Sequence, residues 1–293
     1  MLNEVLEYLN LKPGAKIVDA TMNGGGHTIG ILEKEHGARV LGIEWDPDIV
    51  ENLKFKIKNE KLESLEKNLT IVNDSYVNLK QIIEKNDFQP DGIVFDLGVS
   101  SVHYEKSGRG FSFQKNEMLD MRFNPETETI TAADIVNKES RERLEEIFRV
   151  YGEEQFAETI ALNITKDRAI KPIIMTDELV AIVNASVPGW YKHKKIHPAT
   201  KIFQALRIAV NNELDNVEKG VLRAIEVLSS GGRLIVISFH GIEDKIVREI
   251  FKQKAKEQII RWVVKGTVKP RWDEVRQNPR ARSAKMKVVE KVI

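Results

Sequence analysis

The chain has no cysteine among its 293 residues. Disulfides and thiolate metal sites are therefore excluded, and a cytoplasmic protein is predicted. No apolar run approaches the roughly eighteen residues that a membrane-spanning helix needs, and the N-terminus lacks a signal-peptide pattern. We therefore expect neither a membrane partner nor secretion. We also see no set of histidines and carboxylates with metal-ligand spacing, so no metal is predicted.

The chain has almost no excess of charge of either sign. It contains 45 basic and 44 acidic residues, for a net charge of +1. The balance hides an uneven distribution, because residues 261–291, here called the basic segment, hold ten Lys or Arg and three Asp or Glu. A positive segment of this kind favours contacts with phosphates, so a nucleic-acid partner is predicted.

Two common phosphate-binding motifs are missing from the glycine-rich stretch at residues 17–27. An apolar run ends there in Asp19, and three consecutive glycines, residues 24–26, follow. The third glycine of a dinucleotide fingerprint would fall on Ile29, and no Gly-Lys-Ser/Thr of a P-loop follows the turn. Nothing basic lies in the turn to hold a phosphate. A nucleoside without phosphate fits better, and S-adenosylmethionine is the predicted cofactor; the alternative is a tight turn with no ligand.

Apolar runs and helical patterns alternate over residues 1–100, which predicts an α/β fold with a doubly wound, Rossmann-like parallel sheet. Between 131 and 187 the apolar spacing is helical throughout, and no strand is predicted. The predicted strands are 16–20, 39–43, 69–72, 92–97, 233–239 and 285–293. The predicted helices are 2–10, 28–36, 48–58, 75–85, 131–137, 139–149, 153–168, 176–186, 201–228 and 243–257.

This order predicts a sheet domain that is interrupted by a helical insertion. Residues 1–101 and 198–293 are predicted to form the cofactor-binding domain. Residues 102–197 are predicted to form the insertion and to recognise the substrate.

Candidate site residues follow the predicted strands, where ligands bind in open α/β sheets. Glu44 stands where a carboxylate accepts hydrogen bonds from ribose hydroxyls. Asp96 follows an apolar run and is costly to bury without a partner; the alternative is a capping role. Tyr76 follows the third strand and is a candidate to lie against an adenine ring, with core packing as the alternative.

Two further segments mix cations with aromatic rings. Arg109 and Phe111 lie on the loop after Asp96 and are candidates to clamp and stack on a base, although Phe111 could equally anchor the loop. Residues 189–212 contain no acid, and Lys194, Lys195 and His197 accompany two aromatic residues there. This pattern favours a nucleic-acid surface over a merely solvated face.

Ten segments together resemble the ribosomal RNA small-subunit methyltransferase H family (RsmH/MraW), in the family's order and over nearly the whole chain. The matching segments are Asp19-Ala-Thr-Met-Asn-Gly-Gly-Gly-His27, Gly42-Ile-Glu-Trp-Asp-Pro47, Asp96-Leu-Gly-Val-Ser-Ser101, Arg109-Gly-Phe-Ser-Phe113, Leu119-Asp-Met-Arg122, Tyr151-Gly-Glu-Glu154, His197-Pro-Ala-Thr-Lys201, Phe203-Gln-Ala-Leu-Arg207, Ile237-Ser-Phe-His240 and Asn278-Pro-Arg-Ala-Arg-Ser283.

The resemblance implies a class I methyltransferase that transfers a methyl group from S-adenosylmethionine to the exocyclic N4 of a cytosine. The implied substrate is 16S ribosomal RNA, at the decoding centre of the small ribosomal subunit. The family usually has Asp where Glu44 stands and Gln where His103 stands. The implied cofactor contacts are Gly25, Gly26, His27, Glu44, Tyr76, Asp96 and His103.

Amino methylation of this kind needs an acceptor for the amine hydrogens as the nitrogen gains positive character. Asp96 is the first candidate and Asp120 the second. Arg280 and Arg282 are candidates to hold RNA phosphates. The absence of cysteine excludes the route to cytosine C5 through a cysteine adduct.

Two rival functions remain at this point. One is an amino methyltransferase acting on adenine N6 or on DNA. The other is a non-enzymatic ribosome-assembly factor that binds RNA and keeps a relic cofactor site. The sequence leaves the oligomeric state open between monomer and homodimer.

Overall fold

The computed structural model describes residues 1–59 and 63–293, and these residues include one seven-stranded sheet. The strand order is β3-β2-β1-β4-β5-β7-β6. Strands β1 to β5 pair in parallel, and β7 runs antiparallel between β5 and β6. The strands are β1 (Lys16–Asp19), β2 (Arg39–Glu44), β3 (Leu69–Asn73), β4 (Gly92–Asp96), β5 (Arg233–Ser238), β6 (Ile260–Trp262) and β7 (Lys285–Lys291). The predicted Rossmann-like fold class is confirmed.

The parallel strands read as continuous apolar runs because both faces of the sheet are covered. Alternate residues of one strand enter different cores: Ile93 and Phe95 pack in one, and Val94 packs in the other. All six predicted strands are present. The short strand β6 was not predicted, because three residues are too few to show a period of two.

Helices flank the sheet and also build a separate helical region. Before Gly98 they are α1 (Leu2–Leu9), α2 (Gly26–Lys34), α3 (Pro47–Asn59), α4 (Glu63–Glu66) and α5 (Leu79–Asn86). Next come α6 (Ser101–Glu105), α7 (Ala132–Lys138), α8 (Arg141–Val150), α9 (Ala157–Arg168), α10 (Thr176–Ser186), α11 (Gly189–Lys192) and α12 (Ala199–Asn211). The chain continues with α13 (Glu213–Val227), α14 (Gly241–Lys256) and α15 (Trp272–Gln277). Within the described residues, no helix is long and apolar enough to span a bilayer.

The chain divides into two compact units. The first unit comprises Met1–Gly98 and Leu214–Ile293, and the second comprises Val99–Glu213. The helical insertion therefore ends at Glu213, beyond the predicted boundary at His197. The reason lies in α12, whose residues Ile202 and Leu206 are buried in the core of the second unit.

The predicted single helix 201–228 is wrong. The structure has α12 and α13 instead, separated at Asn212, whose backbone is left-handed with φ 50°. Apolar residues recur at helical spacing on both sides of this break, so the periodicity did not reveal it. Asparagine tolerates the left-handed region better than other residues with a Cβ atom, because its short polar side chain bonds locally.

Candidate active site

The turn between β1 and α2 packs against the core on one side and borders open space on the other. Gly25 caps α2 with φ 77°, and a Cβ atom there would lie 2.7 Å from Leu53 Cδ1. A Cβ atom on Gly24 or Gly26 would meet nothing within 4 Å. The turn therefore requires glycine at position 25 and leaves open space beside its two neighbours.

Asn23 joins the ends of three adjacent strands. Its backbone N–H donates to Glu44 Oε2 at 2.8 Å, and its side-chain amide donates to the Thr21 carbonyl at 3.0 Å and the Asp96 carbonyl at 3.4 Å. Sequence reasoning missed this residue. The available signal was an asparagine directly before the glycines, which suits its positive φ of 49°.

Glu44 ends β2 and is only 8% exposed. Besides the Asn23 N–H, its carboxylate accepts the Asp46 N–H on Oε1 at 2.9 Å. Burial raises the pKa of Glu44 to about 7, against the lowering effect of these two bonds. Each carboxylate oxygen keeps a second lone pair, so the group has capacity for two further donors.

Asp96 ends β4 and lies at the same edge of the sheet. Its N–H donates to Thr21 Oγ1 at 2.6 Å, and its Oδ2 lies 3.8 Å from His27 Nδ1. The side chain is 27% exposed, and burial raises the pKa of Asp96 to about 6. A partly exposed carboxylate that titrates near neutrality suits a proton acceptor.

Behind the turn, Asp19 and Thr28 form a buried pair, in which Thr28 Oγ1 donates to Asp19 Oδ2 at 2.8 Å. Burial raises the pKa of Asp19 and lowers the pKa of His27, so both groups favour their neutral forms. Among the described residues, Asp19 Oδ1 and His27 Nε2 are buried without a hydrogen-bond partner. The buried pair of Asp19 and Thr28 was not predicted from the sequence.

Tyr76 follows β3, and its ring packs edge-on against Phe95 at 5.4 Å between centroids. A Cβ atom on Gly220 would lie 2.5 Å from the Tyr76 ring. One side of the Tyr76 ring therefore packs in the core, as in the alternative interpretation of the sequence. The residue is half-buried, and its contact with an adenine stays a prediction.

His103 lies in the second unit and is 3% exposed. Its Nδ1 accepts the Ser100 N–H at 3.1 Å, and its ring centroid lies 4.8 Å from that of Phe111 and 5.1 Å from that of Phe123. The imidazole thus caps α6 and packs in an aromatic cluster. The contact of His103 with the cofactor stays a prediction.

Phe111 is also buried, and its stacking on an RNA base stays a prediction. Phe111 is 5% exposed and stacks on Phe123 at 5.6 Å. The Arg109 Nη1 donates to the carbonyls of Arg122 and Phe123 at 2.9 and 3.0 Å. Both residues hold their own loop in place, which was the alternative for Phe111.

Asp120 is engaged by Arg122 on both carboxylate oxygens. Arg122 Nε donates to Oδ1 at 2.8 Å, and Nη2 donates to Oδ2 at 2.6 Å. Burial alone would raise the pKa of Asp120, but the bonds from Arg122 outweigh it and the pKa is lowered. A carboxylate held this way is a poor proton acceptor at neutral pH.

The remaining RNA candidates lie at the surface of their own units. In the second unit, Lys194 Nζ lies 4.9 Å from the Trp190 ring centroid and 4.6 Å from that of Tyr191, and Lys195 is exposed. His197 stacks on Phe113 at 4.9 Å. In the first unit, Arg280 and Arg282 are exposed on the short 3₁₀ turn Pro279–Ser283.

The geometry of the first unit fits a nucleoside cofactor. The open faces of Gly24 and Gly26 leave room at the turn, and the Glu44 carboxylate retains acceptor capacity for two hydroxyls. Residues 19–27 contain no Lys or Arg, so the turn offers no cation to a phosphate. A ribose whose hydroxyls donate to the Glu44 carboxylate fits this arrangement.

A family model described as the MraW methylase family matches residues 1–292. The chain belongs to the MraW methylase family. A ribosomal RNA small subunit methyltransferase H from Dehalococcoides mccartyi is 40% identical, and the match covers all of this chain and 86% of that relative. The protein of the same name from Dictyoglomus thermophilum is 41% identical, over 99% of this chain and 95% of the relative. The resemblance stated above is confirmed.

Membership of this family also confirms the prediction of a methyltransferase that uses S-adenosylmethionine. Among solved structures, an rRNA methylase from Streptococcus thermophilus aligns with 99% of this chain and 93% of that chain, at 10% identity and a TM-score of 0.46.

Proposed function

We propose that this MraW methylase transfers a methyl group to the exocyclic N4 of a cytosine at the decoding centre of 16S ribosomal RNA in the small subunit. The names of the relatives support the ribosomal substrate. The observation that carries the proposal is the meeting of Glu44 and Asp96 at one sheet edge, joined through Asn23 beside an open glycine turn.

The glycine turn and Glu44 hold the cofactor. The Glu44 carboxylate accepts the two ribose hydroxyls, Gly25 and Gly26 bring the backbone close, and Tyr76 and His27 border the same sheet edge. S-adenosylmethionine, when bound, supplies a methyl group that its sulfonium makes electrophilic.

Asp96 acts on the substrate amine. The N4 lone pair of cytosine is delocalised into the ring, so the amine is a weak nucleophile that needs alignment and an acceptor for its hydrogens. The Asp96 carboxylate accepts such a hydrogen bond and then the proton. We assign Asp120 to loop structure, because Arg122 already engages both of its oxygens.

Recognition of RNA falls to the exposed cations. Lys194, Lys195 and His197 contact the RNA from the second unit, and Arg280 and Arg282 hold phosphates from the first. An A-form helix hides base edges in its narrow major groove, so the target cytosine must be unstacked before it reaches Asp96. The second unit is the substrate-recognition domain in this proposal.

A relic site in a non-enzymatic assembly factor is the weaker alternative, because such a factor has no use for a partly exposed carboxylate beside the glycine turn. Incubation of the purified chain with methyl-tritiated cofactor tests the proposal. Tritium should enter isolated small subunits and not protein-free DNA. Transfer to DNA, or to adenine, would favour the other class of amino methyltransferase, and no transfer together with no cofactor binding would favour the relic.

A further inference from the structure

Trp272 is an exposed aromatic residue inside the basic segment. It begins α15 in the first unit and is 74% exposed, whereas most large apolar side chains of this unit are buried. An indole of this size loses favourable burial when it stays in water. Neither the sequence motifs nor the proposed methyl transfer uses this ring.

The surroundings of Trp272 carry charges of both signs, since Asp273 and Glu274 directly follow it, and they are fixed in place. The guanidinium of Arg276, one helical turn later, lies over the indole at 5.6 Å from its centroid. At the start of α15, the Arg271 N–H donates to Glu4 Oε1 at 3.2 Å, and its guanidinium lies 3.6 Å from Glu7 Oε2. The backbone that carries the indole is therefore attached to α1, while the ring itself faces solvent.

We infer that Trp272 and Arg276 form a stacking platform for an unpaired base of the RNA substrate. Aromatic rings beside cations bind single-stranded nucleic acid, because a base stacks on the ring while the cations attract the backbone. The charge complementarity comes from the basic segment as a whole, in which ten basic residues outnumber three acids. The inference rests on the proposed function, since it takes the substrate to be RNA.

Stacking requires an aromatic ring, so two apolar substitutions separate stacking from general hydrophobic contact. We expect W272L to weaken binding of a single-stranded oligonucleotide of about ten nucleotides by about fivefold or more, and W272F to retain most of the affinity. V150A serves as the distant control, because Val150 is 51% exposed on α8, outside the basic segment. The thermal midpoints of all variants should match the wild type, because none of these side chains is buried.

The readouts are fluorescence anisotropy of the labelled oligonucleotide and methyl transfer to isolated small subunits. Binding of the oligonucleotide should also quench wild-type indole emission, and W272F should lose that part of the signal. In the transfer assay, W272L should raise the KM for the subunit and leave kcat and cofactor affinity unchanged.

Equal affinity of W272L and wild type for the oligonucleotide would overturn the inference, as would an equal loss of affinity for duplex RNA. A raised KM for the subunit without any change in oligonucleotide affinity would also overturn it and indicate a protein partner on this surface. Failure of the proposed function looks different, because wild type would then transfer no methyl group to the small subunit, or would transfer it to another target, whatever the state of Trp272.

Discussion

At the scale of single residues, two carboxylates at one sheet edge have different surroundings. Two backbone N–H groups fix Glu44, which is 8% exposed. Asp96 carries 27% side-chain exposure and has His27 Nδ1 at 3.8 Å. A fixed carboxylate suits a ligand's hydroxyl groups, and a more accessible one suits proton transfer. The roles that we propose for them follow from these environments, although both are acids that end parallel strands.

Glu44 makes stability depend on pH in a predictable window. Its pKa is about 7 in the folded protein against an ordinary value of 4.5, so between these pH values the folded state holds a proton that the unfolded state has lost. Its contribution to the free energy of unfolding is present below about pH 4.5 and is lost as pH rises through 7. Between pH 5 and 8, wild type should lose up to about 3 kcal/mol relative to E44Q.

Denaturant unfolding of wild type and E44Q across this pH range measures the difference directly. Parallel stability curves for the two proteins would contradict the assigned pKa. E44Q should also bind the cofactor about tenfold or more weakly, because a neutral amide replaces a charged acceptor.

Matched substitutions of Asp96 and Asp120 test which of the two carboxylates accepts the proton. D96N should lower kcat by about 100-fold or more, since a positioned proton acceptor contributes at least that much, and should leave cofactor affinity within a few-fold. The wild-type kcat should rise with pH through about 6, the folded-state pKa of Asp96, and D96N should lack this rise.

D120N should behave in the opposite way. Removing the partner of Arg122 should lower the free energy of unfolding by about 1–3 kcal/mol, while kcat per folded molecule stays unchanged. Steady-state kinetics beside thermal unfolding distinguishes the two. A large kcat loss in D120N with an unaltered pH profile in D96N would exchange their roles.

At the scale of elements, the turn from β1 to α2 shapes the proposed cofactor site. The turn backs onto Leu53 at Gly25 and opens at Gly26, although these glycines are neighbours. The sequence does not distinguish the three glycines. In the structure, Gly25 packs against Leu53, whereas Gly24 and Gly26 border open space. A substitution at each position should therefore affect a different property.

G25A and G26A make this difference measurable. G25A should lower the thermal midpoint by several degrees, because a left-handed backbone with a Cβ atom costs about 1–2 kcal/mol and the new methyl group approaches Leu53. G26A should leave the midpoint within about 1 °C but weaken cofactor binding, because its methyl group enters the open space beside the turn. Calorimetry with the cofactor and thermal unfolding are the measurements; equal effects of both variants on both properties would refute the distinction.

Much of the fold could be predicted because apolar periodicity reports burial. Six of the seven strands and the four insertion helices α7 to α10 were predicted from it. Periodicity does not report a single left-handed residue such as Asn212, so α12 and α13 were read as one helix. It also misses an edge strand of three residues such as β6, whose pairing with β7 depends on tertiary contacts.

The site was predicted less completely, for a physical reason. Residues that follow parallel strands, such as Glu44 and Asp96, meet at one edge by topology alone. His103 lies on the five-residue helix α6, and Phe111 lies on the irregular chain after it. Nothing in the sequence there distinguishes a ring that faces a ligand from a ring that packs inward. Their burial at 3% and 5% was visible only in the structure.

At the scale of the whole molecule, near-neutrality conceals a separation of charge. The basic segment carries a net charge of +7, so the rest of the chain must be negative for the total to be +1. Such a distribution favours phosphate contacts on the exposed part of this segment. Lys287 is not in that part, because its side chain is buried and pairs with Asp244. The two exposed arginines of the turn Pro279–Ser283 belong to this segment.

The salt dependence of RNA binding tests this separation of charge. R280Q and R282Q should each lower the slope of log affinity against log salt by about 0.7, because each removes one phosphate contact with single-stranded RNA. R149Q is the charge-matched control, since Arg149 lies on α8 and pairs with Glu145. Anisotropy titrations at several salt concentrations give the slopes. If R149Q changed the slope as much as the two others, the arginines would act only through net charge.

The most direct test locates the transferred methyl group. Small subunits treated with purified wild-type protein and isotopically labelled cofactor are digested, and the RNA fragments are mapped by mass spectrometry. The predicted result is a single labelled cytosine in the decoding centre, modified at N4, which is lost with D96N. A label on another atom or nucleotide, or no label with wild type, would contradict the proposed function.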